Sequence, residues 1–174
     1  MKRMSLLTIA AVAFASVIGL SATASRIETT DQTSAFVNTI PAGYRDWRLI
    51  SVAREEGTLD DIRAVLGNDV AMDAYRAGKL PFPEGTIIAR LAWSYDVSDE
   101  NNKVFGQKQS YIAGHPKNGV QFMIKDAKKY AATDGWGYGH FENGKSAEDS
   151  FLKSCHPCHK KISERDYVFT RYAP

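Results

Sequence analysis

Thr86-Ile87-Ile88-Ala89-Arg90-Leu91-Ala92-Trp93-Ser94-Tyr95 alternates as an extended strand does. Successive side chains on a strand point to opposite faces. One face carries Ile87, Ala89, Leu91, Trp93 and Tyr95, which are bulky and read as core. The other carries Thr86, Ile88, Arg90, Ala92 and Ser94, mostly small around one arginine, leaving room for a slot beside the sheet. Pro81, Pro83 and Gly85 break the chain ahead of this run.

The neighbouring segments read alike. Trp47 to Ala53 and Asp61 to Leu66, the latter ended by Gly67, are expected strands upstream. Val104 to Ala113, Val120 to Ile124 and Trp136 to Phe141 are expected strands downstream. Gly137 and Gly139 leave one face of the last strand bare, allowing close approach. Val70 to Ala77 reads as a helix stopped by Gly78, and Ala127 to Ala132 as a short helix. Long strands on short connections predict an α+β domain, mainly antiparallel β-sheet with a few short helices at one side. Trp47, Trp93, Trp136 and the tyrosines are expected to build its core.

Near the C-terminus stands Cys155-His156-Pro157-Cys158-His159, which holds the only two cysteines of the chain. C-x-x-C-H is the attachment signal for a c-type haem. Each thiol adds to one haem vinyl group, and the adjacent imidazole becomes the proximal ligand of the iron. A lone disulfide, a thioredoxin-like pair or half of a zinc site are the competing readings. Zinc would need a further ligand such as His156, His115 or His140, at no recognised spacing. A thioredoxin-like pair belongs after an early strand, not near the end of a chain. The motif is expected on a C-terminal helix capped by Ser146, with Asp149 three residues on. Phe151, Cys155, Cys158, His159 and Ile162 then share one face.

The other terminus agrees. Met1 to Ala24 has the form of a secretory signal: Lys2 and Arg3, an apolar run from Leu6 to Leu20, and Ala22-Thr23-Ala24 as cleavage site. The run is short for a bilayer span. Export to the periplasm fits the motif, because c-type haem is generally attached outside the bacterial cytoplasm. Residues 25–40 are expected to be a flexible lead-in, and 41–174 one haem domain. Without Lys2 and Arg3 the chain carries 20 basic and 20 acidic side chains. That balance offers nothing to nucleic acid or to an anionic membrane surface.

Fifteen residues follow His159, none of them methionine, and the only methionines beyond the signal are Met72 and Met123. An electron-transfer cytochrome usually takes its second ligand from a late methionine. A five-coordinate iron with an open distal face is therefore expected, with Met123, His115 or His140 as the competing sixth ligands. Four-helix cytochromes with a late motif need heptad patterns that the strand-rich middle lacks.

The sequence also resembles the cytochrome P-460 family and its relatives, the cytochromes c-prime-beta. The resemblance rests on Pro41-Ala-Gly-Tyr44-Arg45-Asp-Trp47, Ile62-Arg63, Glu84-Gly85-Thr86, and Val120 through Lys125-Asp126. It ends in Cys155-His-Pro-Cys158-His159-Lys160 and Asp166-Tyr-Val168-Phe169-Thr170-Arg171-Tyr172. It implies a sheet-rich domain, usually a homodimer, with one covalently attached haem c, His159 proximal and an open distal site. It implies hydroxylamine or nitric oxide as ligand or substrate; were there a redox partner, a cytochrome would be the candidate. In cytochromes P-460 a lysine on the strand after the Gly-Thr turn bonds to the haem, but here that position is Arg90. A guanidinium is a poor nucleophile, so no such bond is expected. Arg90, and Arg63 with it, can pair with a haem propionate, donate to a bound ligand oxygen, or simply lie in solvent. Electron transfer through a six-coordinate iron and a sensor or binding role without turnover are the competing functions.

Overall fold

The computed structural model describes residues 36–173. The sheet is a six-stranded antiparallel meander in chain order. Its strands are β1 (Arg48–Glu55), β2 (Asp61–Gly67), β3 (Ile87–Val97), β4 (Tyr111–Lys125), β5 (Trp136–Glu142) and β6 (Lys145–Ser146). Helices α1 (Asp69–Arg76) and α2 (Asp99–Phe105) lie between strands, and α3 (Asp149–Leu152) and α4 (Cys155–His159) follow the sheet. The expected α+β class, a mainly antiparallel sheet with short helices, is what the chain forms.

The two faces of β3 divide as the alternation requires. Ala89 and Leu91 join Val37, Phe122, Tyr130 and Phe141 in one buried cluster, with Trp47 and Trp93 against it. Ile88 joins Ile50, Val65, Met72, Phe82, Trp136, Tyr138 and Val168 in another. At about 25 cal/mol per Å² of apolar surface removed from water, these two clusters are the main favourable contribution to folding. The packed chain reaches back to Phe36, which bridges Tyr138 in parallel, and to Val37, whose N–H donates to the Tyr138 carbonyl at 2.8 Å.

Asn68 fixes the start of α1 against β3. Its side-chain oxygen accepts from Ala71 N–H at 3.0 Å and Ile87 N–H at 3.1 Å, while its amide donates to the Gly85 carbonyl at 2.8 Å.

Several local expectations are corrected. Val104 is not in a strand: Ser98 caps α2, Asp99 and Glu100 occupy its first turn, and Gly106 stops it at φ 70°. This is ordinary helix punctuation, and exposed Val104 and Phe105 make the segment look strand-like. The two strands expected over 104–124 are one, β4, whose pairing with β3 shifts register opposite Leu91 to Tyr95. Ala127 to Ala132 yields only a turn and a 3-10 segment at Ala131–Thr133. Ser146 pairs in β6 instead of capping a helix. A turn at Lys153 and Ser154 separates α3 from α4, so the stripe from Phe151 to Ile162 is not on one helix. The expected signal, residues 1–24, lies outside the described residues. Among the described residues, no helix is long and apolar enough to cross a membrane.

Candidate functional site

Five strands present a row of side chains to one cavity. Ser51, Val65, Arg90, Gln121 and His140 are register partners across β1 to β5, and Ile88, Met123 and Tyr138 form the adjacent row. Above this floor lie α4 and the chain from Val168 to Arg171. Between them is a cavity of about 580 Å³ lined by Arg63, Arg90, Cys155, Cys158 and His159 together. That volume is in the range of small-molecule and cofactor sites.

His159 is held in one tautomer. Its Nδ1 lies 2.7 Å from the Tyr167 carbonyl oxygen. A carbonyl only accepts, so the neutral ring keeps its proton on Nδ1 and leaves the Nε2 lone pair bare. Burial, and then the nearby His156, lower its pKa, against the carbonyl contact that raises it. Tyr138 and Phe169 hold the ring, each with its centroid 5.1 Å away.

The carbonyl is aimed by an unusual turn. Asp166 and Tyr167 have φ of 49° and 66°. Left-handed backbone costs about 1–2 kcal/mol per residue, and a bulky tyrosine has no side-chain compensation for it. The carboxylate of Asp166 accepts from Lys125 Nζ at 2.8 Å, Phe82 N–H at 2.8 Å and Trp136 Nε1–H at 3.3 Å.

Cys155 and Cys158 are free thiols, the first half-buried and the second exposed. Burial, reinforced by the Cys158 charge, raises the pKa of Cys155 and keeps its proton on sulfur. Their helix is positioned by His156, whose Nε2 is 3.1 Å from Asp134 Oδ2 and whose ring stacks on Tyr167 with centroids 5.7 Å apart.

Asp61 is completely buried and joins both arginines of the cavity wall. It accepts from Arg63 Nε at 2.8 Å, Arg90 Nη2 at 2.5 Å and Asn118 Nδ2 at 3.2 Å. Glu55 adds a contact to Arg63 Nη1 at 3.2 Å. Arg90 Nη1 and Arg63 Nη2 are buried without a hydrogen bond, although Arg63 Nη2 sits 2.7 Å from Asp61 Oδ1 as an ion pair. Burial, and then Arg63, lower the Arg90 pKa, while Asp61 and Glu55 oppose the change. Neither arginine is free in solvent, and β3 is an interior strand of the sheet.

The other histidines separate clearly. His115 is exposed, hydrogen-bonded to Ser94 through Nδ1 at 3.0 Å, and does not line the cavity. His140 lines it, but Gln121 meets its Nδ1 at 3.0 Å and Glu142 its Nε2 at 3.2 Å. Met123 lines it as well. Among the described residues, no group of three His, Cys, Asp or Glu side chains is arranged to hold a metal ion by itself. Gly137 and Gly139 serve the opposite face: a Cβ there would meet the Tyr130 ring at 2.3 Å and Val37 at 2.9 Å. The close approach expected at these glycines is made by the protein's own core.

Asp61 was recoverable from its period of two with Arg63 and Val65, an acid on the inward face of a strand. Gln121 and His140 required the register, which the sequence pattern does not supply.

The donor set fits a haem: two free thiols and a bare imidazole nitrogen on one short helix, lining one cavity, with an unpartnered Arg90 Nη1–H suited to a carboxylate. A family profile described as Cytochrome P460 matches residues 41–170. A search of curated proteins found no match. The profile covers most of the chain, and the chain belongs to the cytochrome P460 family, with the haem cofactor that membership implies.

Proposed function

We propose that the chain is an exported, periplasmic c-type haem protein that binds or converts nitric oxide or hydroxylamine at an iron held from one side by His159. The observation carrying this reading is the His159 ring, whose Nδ1–H is committed to Tyr167 and whose Nε2 is left bare. Haem bound here would supply the metal and the electron-transfer chemistry. Cys155 and Cys158 would each give a thiol to one vinyl group, fixing a single cofactor covalently. The raised pKa of Cys155 favours the protonated thiol until then.

In the wall of the same cavity, Arg90 Nη1–H is a buried donor in search of an acceptor. A carboxylate of the cofactor or the oxygen of an N–O ligand would satisfy it, a charge-assisted hydrogen bond in either case. Asp61 keeps Arg90 and Arg63 in place while offsetting part of their charge. Among the described residues lining the cavity none is a lysine, so no lysine-to-haem bond is expected. If the protein turns over its ligand, a partner cytochrome would carry the electrons.

His140 does not compete for the iron while both ring nitrogens are occupied. Met123, in the cavity wall, favours a second reading, an electron carrier with sulfur as sixth ligand. Nitric oxide added to the reduced protein separates the two. A prompt spectral change from a high-spin starting state is expected. An unaltered spectrum with low-spin iron beforehand would overturn the lead reading.

A further inference from the structure

We propose that the buried pair Lys125 and Asp166 is a strut that positions the Tyr167 carbonyl, and through it sets the electron-donating strength of His159. This rests on the reading of His159 as an iron ligand. Lys125 and Asp166 are therefore positioning residues, not catalytic ones.

Asp166 and Tyr167 are consecutive residues in left-handed backbone, φ 49° and 66°. Aspartate tolerates that region; tyrosine does so only when its surroundings impose it. Two local bonds close the turn, from Asp166 N–H to Ser163 at 3.0 Å and from Tyr167 N–H to Ile162 at 3.2 Å. The anchor to the sheet is the Asp166 carboxylate. Its three donors come from three places: Phe82 ahead of β3, Lys125 at the end of β4 and Trp136 at the start of β5. Lys125 is itself fixed, since its N–H donates to Thr86 and its carbonyl accepts from Gly85, both at 2.9 Å. Its ammonium also sits 4.9 Å from the Trp136 ring centroid. One carboxylate thus ties the end of the sheet to the carbonyl that faces the proximal imidazole.

Stability alone is a poor reason for such a pair. Two buried charges lose their hydration, and well-packed apolar side chains of the same volume are often as stable or more so. Apolar side chains could fill this space but could not hold the turn by hydrogen bonds. What the pair adds is geometry at Tyr167. A carbonyl accepting from Nδ1–H increases electron density at Nε2 and makes the imidazole a stronger donor. A stronger donor favours oxidised iron and lowers the reduction potential.

The test uses haem-loaded full-length protein with two variants, Lys125→Met and Asp166→Gly. Glycine removes the carboxylate while accepting the same backbone. Resonance Raman of the reduced, ligand-free form reads the iron–histidine stretch, and redox titration reads the potential. Both variants should shift the stretch to lower frequency and raise the potential at unchanged haem content, and Lys125→Arg should restore much of each. A stretch and potential identical to the parent in either loaded variant would overturn the proposal. Should both variants fail to load, the parent decides. The His159 Nδ1 proton of its ferric cyanide form should exchange slowly with solvent, and rapid exchange would overturn the strut. A parent with no histidine-ligated haem would instead defeat the functional reading and this inference together.

Discussion

The imidazole of His159 gives its Nδ1 proton to the carbonyl of Tyr167, 2.7 Å away, eight residues further along the chain. Under the proposed function, this relationship would equip a short helix to bind iron. It fixes the tautomer, turns Nε2 towards use as a ligand, and requires the chain to reverse through two residues of positive φ. The thiols, the imidazole and the two arginines then line one cavity.

The two thiols should react at different rates in haem-free protein. Cys158 is exposed, whereas Cys155 is half-buried and holds its proton to higher pH. The thiolate is the reactive form. In haem-free protein at pH 8, iodoacetamide should therefore label Cys158 first, as peptide mass mapping would show. Equal rates, or faster labelling of Cys155, would contradict the burial.

Asp61 should be essential to the sheet. Asp61→Ala leaves two guanidinium groups close together without their shared, fully buried carboxylate. Breaking a buried ion pair from one side costs about 3–5 kcal/mol. Chemical denaturation should show a loss of that order. A loss below about 1 kcal/mol, the scale of surface pairs, would mean that the cluster is effectively solvated.

Arg90 should influence ligand affinity more than haem content. A hydrogen bond to a charged group is worth about 1.5–3 kcal/mol. If Arg90 Nη1–H reaches the bound ligand, Arg90→Met should weaken nitric oxide binding by about tenfold to a hundredfold, measured by the dissociation rate. An unchanged rate with altered haem retention would assign the arginine to a propionate instead.

Gly137→Ala tests the far face of β5. A methyl group there meets the ring of Tyr130 at 2.3 Å. Overpacking of this kind costs about 1–3 kcal/mol, so the denaturation midpoint should fall. An unchanged midpoint would show that Tyr130 moves aside freely.

Much of the fold was legible because alternation is a local property. β1, β2, β3 and β5 each fall on a segment whose side chains alternate or whose ends are marked by glycine or proline. The segment after Val97 misled because Val104 and Phe105 are apolar yet exposed on α2, so hydrophobicity there does not report burial. Its helix was signalled instead by Ser98, Asp99, Glu100 and Gly106. The cysteine motif announced itself by spacing. Arg63 and Arg90 could be placed on strands, but their meeting at Asp61 depends on pairing Val65 with Arg90, which is long-range. The Tyr167 carbonyl was hidden for another reason: it is backbone, and its aim depends on a left-handed turn that no residue type in Asp166-Tyr167 demands.

The most direct measurement is the visible spectrum of protein produced with cytochrome c maturation machinery, recorded oxidised, reduced, and reduced with carbon monoxide. A c-type haemochrome in pyridine, a high-spin five-coordinate reduced form and a prompt shift with carbon monoxide are predicted. A colourless preparation, or a low-spin reduced form that ignores carbon monoxide, would contradict an iron held by His159 with its other face open.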